Sequence, residues 1–259
     1  MSAMYRIRAA RIRVPALLGG ALALLLSVTA LVQAATRAGD EAGDSAVVRA
    51  QALLQAGNAY WTREFVTLKA VYQPAQLSLY AHALSNACGV NGMLVGPFYC
   101  PEDSHVYLPR DYLRQIADKA GTSADLALAY VVGHELGTHI QDLIGTTEQV
   151  EQARARSTPQ LSARTWAVAE LQADCYAGLA VRAGLAQRQI AAGDASAALQ
   201  AVASVTQALQ AHLKSGEVMP DPVQTYLTPA QRLEWFQRGL GSGNFADCDT
   251  FSAEAAGKL

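Results

Sequence analysis

The chain has 259 residues, of which 51% are hydrophobic and 16% are charged, and its formal net charge is −2. Four arginines and no acidic residue occupy residues 1–13, so the remainder carries 16 basic and 22 acidic residues. That acidic balance argues against a nucleic-acid-binding surface and against a polybasic grip on anionic lipid. The length is ample for one domain with its own core, and no internal repeat divides it.

An uncharged run follows these arginines, from Val14 to Val32. As a helix it would be ~28 Å long, about the thickness of the hydrocarbon core of a bilayer. We predict a single-pass anchor in the cytoplasmic membrane. The alternative is a signal peptide that is cleaved near Ala34, because Val-Gln-Ala is an acceptable cleavage pattern. Either way the arginines stay inside, and the rest of the chain lies outside, on the periplasmic side.

The predicted organisation is an anchor or signal peptide over residues 1–35, a flexible polar linker over 36–45 and one domain over 46–259. The fold class is α+β and mostly helical, with a small sheet. Short strands are predicted at 77–81, 97–99 and 106–108. Helices are predicted at 46–69, 111–120, 124–144, 166–183, 194–213 and 228–240, and residues 148–160 form either a helix or a mobile loop.

The chemistry centres on the stretch VVGHELGTHIQ, residues 131–141. We interpret it as the His-Glu-x-x-His motif of zinc enzymes, in which two histidines share one face of a helix. On this interpretation His134 and His139 bind one Zn²⁺ per chain, and Glu135 accepts the proton of a zinc-bound water. The alternative is a pair of surface or core histidines. Gly133 and Gly137 indicate that another backbone or the site itself packs closely against this helix.

Two carboxylates on the next predicted helix supply the rest of the site. Glu170 and Asp174 are four residues apart among mostly apolar or small residues. Burying such carboxylates is costly unless a cation or a hydrogen-bond donor receives them. We therefore predict Glu170 as the third zinc ligand, with water in the fourth position. Asp174 is predicted to hold a ligand histidine by its other ring nitrogen.

With these segments in place, the chain resembles the bacterial neutral zinc metallopeptidase family, which is zincin-like, over residues 60 to 251. The blocks that carry the resemblance are GPFYCP at 96–101 with Asp103 and VYL at 106–108, the block at 134–141, ELQADCYAG at 170–178, and AQR at 230–232 with WF at 235–236 and CDTF at 248–251. The resemblance implies peptide-bond hydrolysis, with His134, His139 and Glu170 as ligands and Glu135 as the general base. It also implies a small sheet over the active-site helix, whose edge can pair with an extended peptide or protein substrate.

The chain departs from the family pattern in two places. The family commonly has a histidine where Thr138 stands, which we expect to be harmless because Thr138 is not among the predicted ligands. It also commonly has Thr-His-Gly where this chain has Thr-Tyr-Leu at 225–227. If the histidine of the family pattern stabilises the developing oxyanion, the hydroxyl of Tyr226 could do the same in this chain. The alternatives are an inactive, membrane-anchored pseudoenzyme that binds zinc, and a zinc amidase that acts on another amide bond.

Four cysteines fit an oxidising compartment, and three pairings are possible. A Cys88–Cys100 bond would close a short loop and contribute about 3 kcal/mol on the entropic model. A Cys175–Cys248 bond would then tie the C-terminal tail to the helix that carries Glu170. A Cys/His zinc site is the alternative, but the sequence has no C-x-x-C pair to support it.

Overall fold

The computed structural model describes residues 45–81, 87–88, 96–214 and 227–257. The chain separates into two units, Met1–Glu41 and Ala42–Leu259. The predicted membrane segment, most of the predicted linker and Tyr226 lie outside the described residues. Within the part of the chain that is described, no helix combines the length and the apolar composition needed to cross a bilayer.

The second unit is mostly helical, with one small sheet. The strands are β1 (Gln76–Tyr80), β2 (Phe98–Cys100) and β3 (His105–Pro109). The helices are α1 (45–67), α2 (Arg110–Ala120), α3 (Ala124–Leu143), α4 (Thr146–Ala155), α5 (Pro159–Ala186), α6 (Ala195–Lys214), α7 (Pro229–Ser242) and α8 (Thr250–Ala255), with 3-10 turns at Gly121–Ser123 and Phe245–Cys248. This architecture confirms the expected class, helical with a small sheet.

The three strands are ordered β1-β3-β2. The central strand β3 pairs in parallel with β1 and antiparallel with β2, which leaves β2 at one edge. Tyr99 of β2 donates its hydroxyl to Asp142 of α3, over 3.0 Å. This contact places the edge strand beside the helix that carries the central motif.

The core is built around α3, which is buried along most of its length. Its two glycines allow a close crossing with α5, as the sequence predicted. A Cβ at Gly137 would lie 2.7 Å from the carbonyl oxygen of Ala173, and one at Gly133 would lie 3.1 Å from Cα of Ala177. Because no side chain separates the two backbones, the polar residues of α3 and α5 on that side come within hydrogen-bonding distance.

A second close crossing holds α7 against α5. A Cβ at Gly239 would overlap the carbonyl oxygen of Cys175, so only glycine permits this approach. The start of α7, within the predicted helix at 228–240, is defined by a capping box. The side chain of Thr228 accepts from the backbone of Gln231, whose side chain caps Thr228 in return, and Pro229 occupies the first turn. Cap and crossing together fix the first turn of α7 beside α5.

Disulfide bonds join Cys88 to Cys100 and Cys175 to Cys248, which is one of the three possible pairings. The open question at residues 148–160 is also answered, because α4 is a helix that ends at Ala155. Helix α5 begins at Pro159, seven residues before the predicted start at Trp166. Thr158 caps it by accepting from the backbone of Leu161, a signal that the prediction overlooked.

Candidate functional site

A cleft of about 520 Å³ opens beside the central motif. Its polar floor comes from α3, α5 and the first turn of α7, and one wall is the cleft-facing side of α6. The edge strand β2 and Trp166 complete the rim. The floor residues are His134, Glu135, Thr138, Glu170 and Arg232, and the α6 wall includes Leu199, Val202, Ala203, Thr206 and Leu209.

His134 faces both predicted carboxylates. Its Nδ1 lies 2.8 Å from Oδ1 of Asp174, and its Nε2 lies 3.3 Å from Oε2 of Glu170. Two ligands of a tetrahedral zinc ion are about 3.3 Å apart, given metal–ligand bonds of about 2.0–2.2 Å. The pair His134 and Glu170 therefore has the spacing of two ligands of one ion, and Asp174 holds the other ring nitrogen.

Arg232 binds the same two carboxylates from the opposite side. Its guanidinium lies 2.9 Å from Oε2 of Glu170 and 3.2 Å from Oδ2 of Asp174. Burial raises the pKa of Glu170, but His134 and Arg232 outweigh burial and bring it down to about 2. Burial lowers the pKa of His134, but Asp174 and Glu170 outweigh it and raise the pKa to about 10. A metal would have to displace the proton of His134.

Glu135 lies at the cleft floor and is only 7% exposed. Burial is the main reason that its pKa is raised to about 7, with a further rise from the nearby Glu170. A carboxyl group with a pKa close to the operating pH is suited to accepting and returning a proton. The position and electrostatics of Glu135 are therefore those of a general acid or base toward a molecule in the cleft.

The prediction that His139 is a zinc ligand is wrong, because His139 does not stand at the motif position of the second histidine. His-Glu-x-x-His places its second histidine four residues after the first, and that position in this chain is Thr138. His139 is five residues after His134. On an α-helix, four residues rotate a side chain by ~40° from the first and five residues by ~140°. Accordingly Thr138 lines the cleft with His134, whereas His139 points to another side of α3.

The contacts of His139 show how its imidazole is used. The side chain is 0% exposed, and burial lowers its pKa. Its Nε2 lies 2.7 Å from the backbone carbonyl of Gln73, which can only accept, so this nitrogen carries the proton. Its Nδ1 lies 2.9 Å from the hydroxyl of Tyr99. The hydrogen bonds of the two ring nitrogens therefore join α3 to β2 and to the segment before β1.

The described residues therefore fit a three-ligand zinc site only in part. Among them, the one group of three potential ligand residues with atoms close enough for a metal is Cys88, Cys100 and Glu102. Both of its sulfurs form a disulfide, so neither is a thiolate ligand. His134, His139 and Glu170 do not form such a group. A neutral threonine hydroxyl is not among the usual donors to zinc, so Thr138 does not complete the set.

Several floor residues were not predicted from the sequence. Tyr130 stands four residues before His134 on the same face of α3, and its hydroxyl donates to Asp174 over 2.7 Å. Its spacing was a usable signal. No local signal in the sequence pairs Arg232 with Glu170, because this pairing depends on the crossing of α7 with α5. The sequence does place Thr138 four residues after His134, at the position of the second histidine of the motif.

The sequence model of the family described as putative neutral zinc metallopeptidase matches residues 16–251 of the chain. The chain is 33% identical over 219 residues to the uncharacterized protein YpfJ of Escherichia coli strain K12. The matched residues cover 85% of this chain and 76% of YpfJ. It is also 33% identical over 197 residues to the uncharacterized protein Rv2575 of Mycobacterium tuberculosis, which covers 72% of this chain and 65% of Rv2575. No solved structure was found to match.

Proposed function

Because the chain belongs to the neutral zinc metallopeptidase family, we propose that its cleft binds polypeptide segments, and that it does not hydrolyse them by the zinc mechanism of that family. The observation that carries this proposal is Thr138. It occupies the position at which His-Glu-x-x-His provides its second imidazole. Without that ligand, the metal that would activate water and polarise a peptide carbonyl has only His134 and Glu170 among the described floor residues.

Polypeptide binding is supported by the form of the cleft. The edge strand β2 borders it through Phe98 and Tyr99, and an edge strand offers backbone groups to an extended peptide. The wall on α6 is apolar at Leu199 and Val202, which suits the side chains of such a peptide. A backbone lying between them would pass over the polar floor.

Zinc-dependent peptide-bond hydrolysis is the second candidate, and two observations favour it. His134 and Glu170 have the spacing of two ligands on one ion, with Asp174 behind the imidazole. Glu135 also keeps the place and the pKa of a general base. A protein that only bound peptides would have no need for this residue.

Cleavage of casein by the full chain separates the two candidates. The assay is run with added zinc and with a chelator, beside the Glu135→Gln variant. We expect the wild type to release no more peptide than Glu135→Gln, because the metal-activated water is missing. Chelator-sensitive cleavage that disappears in Glu135→Gln would overturn the proposal in favour of hydrolysis. Cell-wall peptides are tested in parallel, since an amidase would cleave those alone.

Binding is tested by blocking the cleft from α6. Ala203 lines the cleft, whereas Ala208 on the same helix is exposed and does not. We expect Ala203→Trp to weaken the binding of fluorescent casein peptides at least about 10-fold, because an indole would occupy the space of the peptide. Ala208→Trp should bind as the wild type does. Equal binding by all three proteins would refute peptide binding in this cleft.

We further propose that the domain lies outside the cytoplasmic membrane. Its two disulfides support this location, because such bonds persist mainly in oxidising compartments. A reporter enzyme that is active only after export, fused after residue 259, tests it. We expect activity with the intact N-terminal segment and none after deletion of residues 1–35, whereas a fusion that is inactive with the intact segment would contradict export.

A further inference from the structure

We infer that the metal site of this chain is interrupted at one position, residue 138, and that the remaining parts of a His₂Glu zinc site are still assembled around it. The inference rests on the proposed function, in which the wild type lacks zinc chemistry. It goes further, since it states that one side chain separates this cleft from a complete metal site.

Residue 138 has the geometry of a ligand position. Thr138 lies one helical turn after His134, and both side chains are partly exposed to the same cleft. An imidazole at residue 138 would project from the same face of α3 as His134. The cleft of about 520 Å³ leaves room for the larger ring.

His134 and Glu170 already lie close to the positions that two ligands of one zinc ion would take. Nε2 of His134 and Oε2 of Glu170 are 3.3 Å apart, the separation that two ligands take around one zinc ion. Asp174 is fully buried and accepts hydrogen bonds from His134, Tyr130 and Arg232, so the imidazole of His134 is held in orientation. These contacts act as the outer shell that ligand histidines require.

His139 cannot take the place of the missing imidazole at residue 138. Its two ring nitrogens contact the Gln73 carbonyl and the Tyr99 hydroxyl, and its ring packs against Tyr72 with 5.6 Å between centroids. Turning this imidazole into the cleft would break both contacts and move the ring around α3. His139 therefore serves the fold in the wild type, and would continue to do so beside a histidine at residue 138.

The test is zinc affinity of the full chain, measured by equilibrium dialysis, for the wild type and for Thr138→His. We expect Thr138→His to bind one equivalent of zinc more than about 100-fold tighter than the wild type, since even outer-shell partners change metal affinity by about 10–100-fold. The double variant Thr138→His with His134→Ala should lose that gain. Absorption spectra with Co²⁺ in place of zinc should report tetrahedral coordination in Thr138→His alone.

The outcomes separate this inference from the proposed function. A folded Thr138→His protein with no gain in affinity would overturn the inference, and the proposed function would stand as long as the wild type does not cleave. Tight zinc binding by a wild type that cleaves peptide would overturn both. Circular dichroism and thermal unfolding confirm that each variant is folded. Thr138→Asn, whose side chain is polar and of similar size but is not an imidazole, is the matched control and should match the wild type.

Discussion

Thr138 and His139 are neighbours in the sequence, but their side chains lie on different faces of α3 and have different roles. On α3 the threonine lines the cleft, whereas the histidine is buried between α3, β2 and the segment before β1. A histidine in a zinc-enzyme motif is normally assigned by its spacing alone. Here the spacing and the hydrogen bonds agree that His139 is a structural residue.

The structural role of His139 predicts a loss of stability on truncation. We expect His139→Ala to lower the free energy of unfolding by about 2–4 kcal/mol, because it leaves a cavity and removes the partner of the Gln73 carbonyl. Urea denaturation measures this change. Thr138→Ala is the neighbouring control and should cost less than about 1 kcal/mol, since Thr138 is partly exposed. An unchanged stability in His139→Ala would contradict the role given to it.

Arg232 shares with His134 the neutralisation of two carboxylates, the partly buried Glu170 and the buried Asp174. We expect Arg232→Met to lower the free energy of unfolding by about 3 kcal/mol or more, because Glu170 and Asp174 would then have to share the single positive charge of His134. Arg164→Met is the control, since Arg164 is exposed and pairs with Glu254 at the surface. It should leave stability close to that of the wild type, because solvent screens an exposed ion pair. Equal effects in the two variants would show that the Arg232 network contributes little.

At the scale of elements, the site depends on two close helix crossings on α5. One joins α3 through Gly133 and Gly137, and the other joins α7 through Gly239. The first brings His134 to Glu170 and Asp174, and the second brings Arg232 to the same pair. Side-chain contacts alone would not hold four polar groups this close, so the glycines are part of the site.

The crossing of α3 with α5 can be tested with a single methyl group. We expect Gly137→Ala to destabilise the protein by about 1–3 kcal/mol, because its Cβ would lie 2.7 Å from the carbonyl oxygen of Ala173. At Gly241 in α7 nothing lies within 4 Å of an added Cβ. Gly241→Ala should therefore be neutral or stabilising by up to about 1 kcal/mol. A Gly137→Ala protein as stable as the wild type would refute the tight crossing.

Local signals were enough to predict some elements from the sequence and not others. Thr228 with Pro229 defined the start of α7, because capping depends on neighbouring residues only. The pairing of Arg232 with Glu170 depends on how α7 crosses α5, which no local pattern encodes. The error at His139 is of another kind. The residues of the motif are present apart from its second histidine, and the spacing of five residues between His134 and His139 places the two on different faces of α3.

At the scale of the whole molecule, the helices and the edge strand form the cleft, and Thr138 occupies the position at which His-Glu-x-x-His provides its second imidazole. The hydrogen bonds around Asp174 join side chains of the chain itself, and the proposed peptide binding needs no metal. Hydrolysis does depend on one, because a water molecule must be activated at the floor. A change at Thr138 can therefore remove catalysis and leave peptide binding in place.

We propose that the wild-type chain does not form the zinc site of its family. Elemental analysis of the full chain, purified from an oxidising compartment and dialysed against zinc at micromolar concentration, tests it most directly. We expect far less than one equivalent of zinc per chain after removal of free metal. One tightly held equivalent, lost when His134 is replaced by alanine, would contradict it.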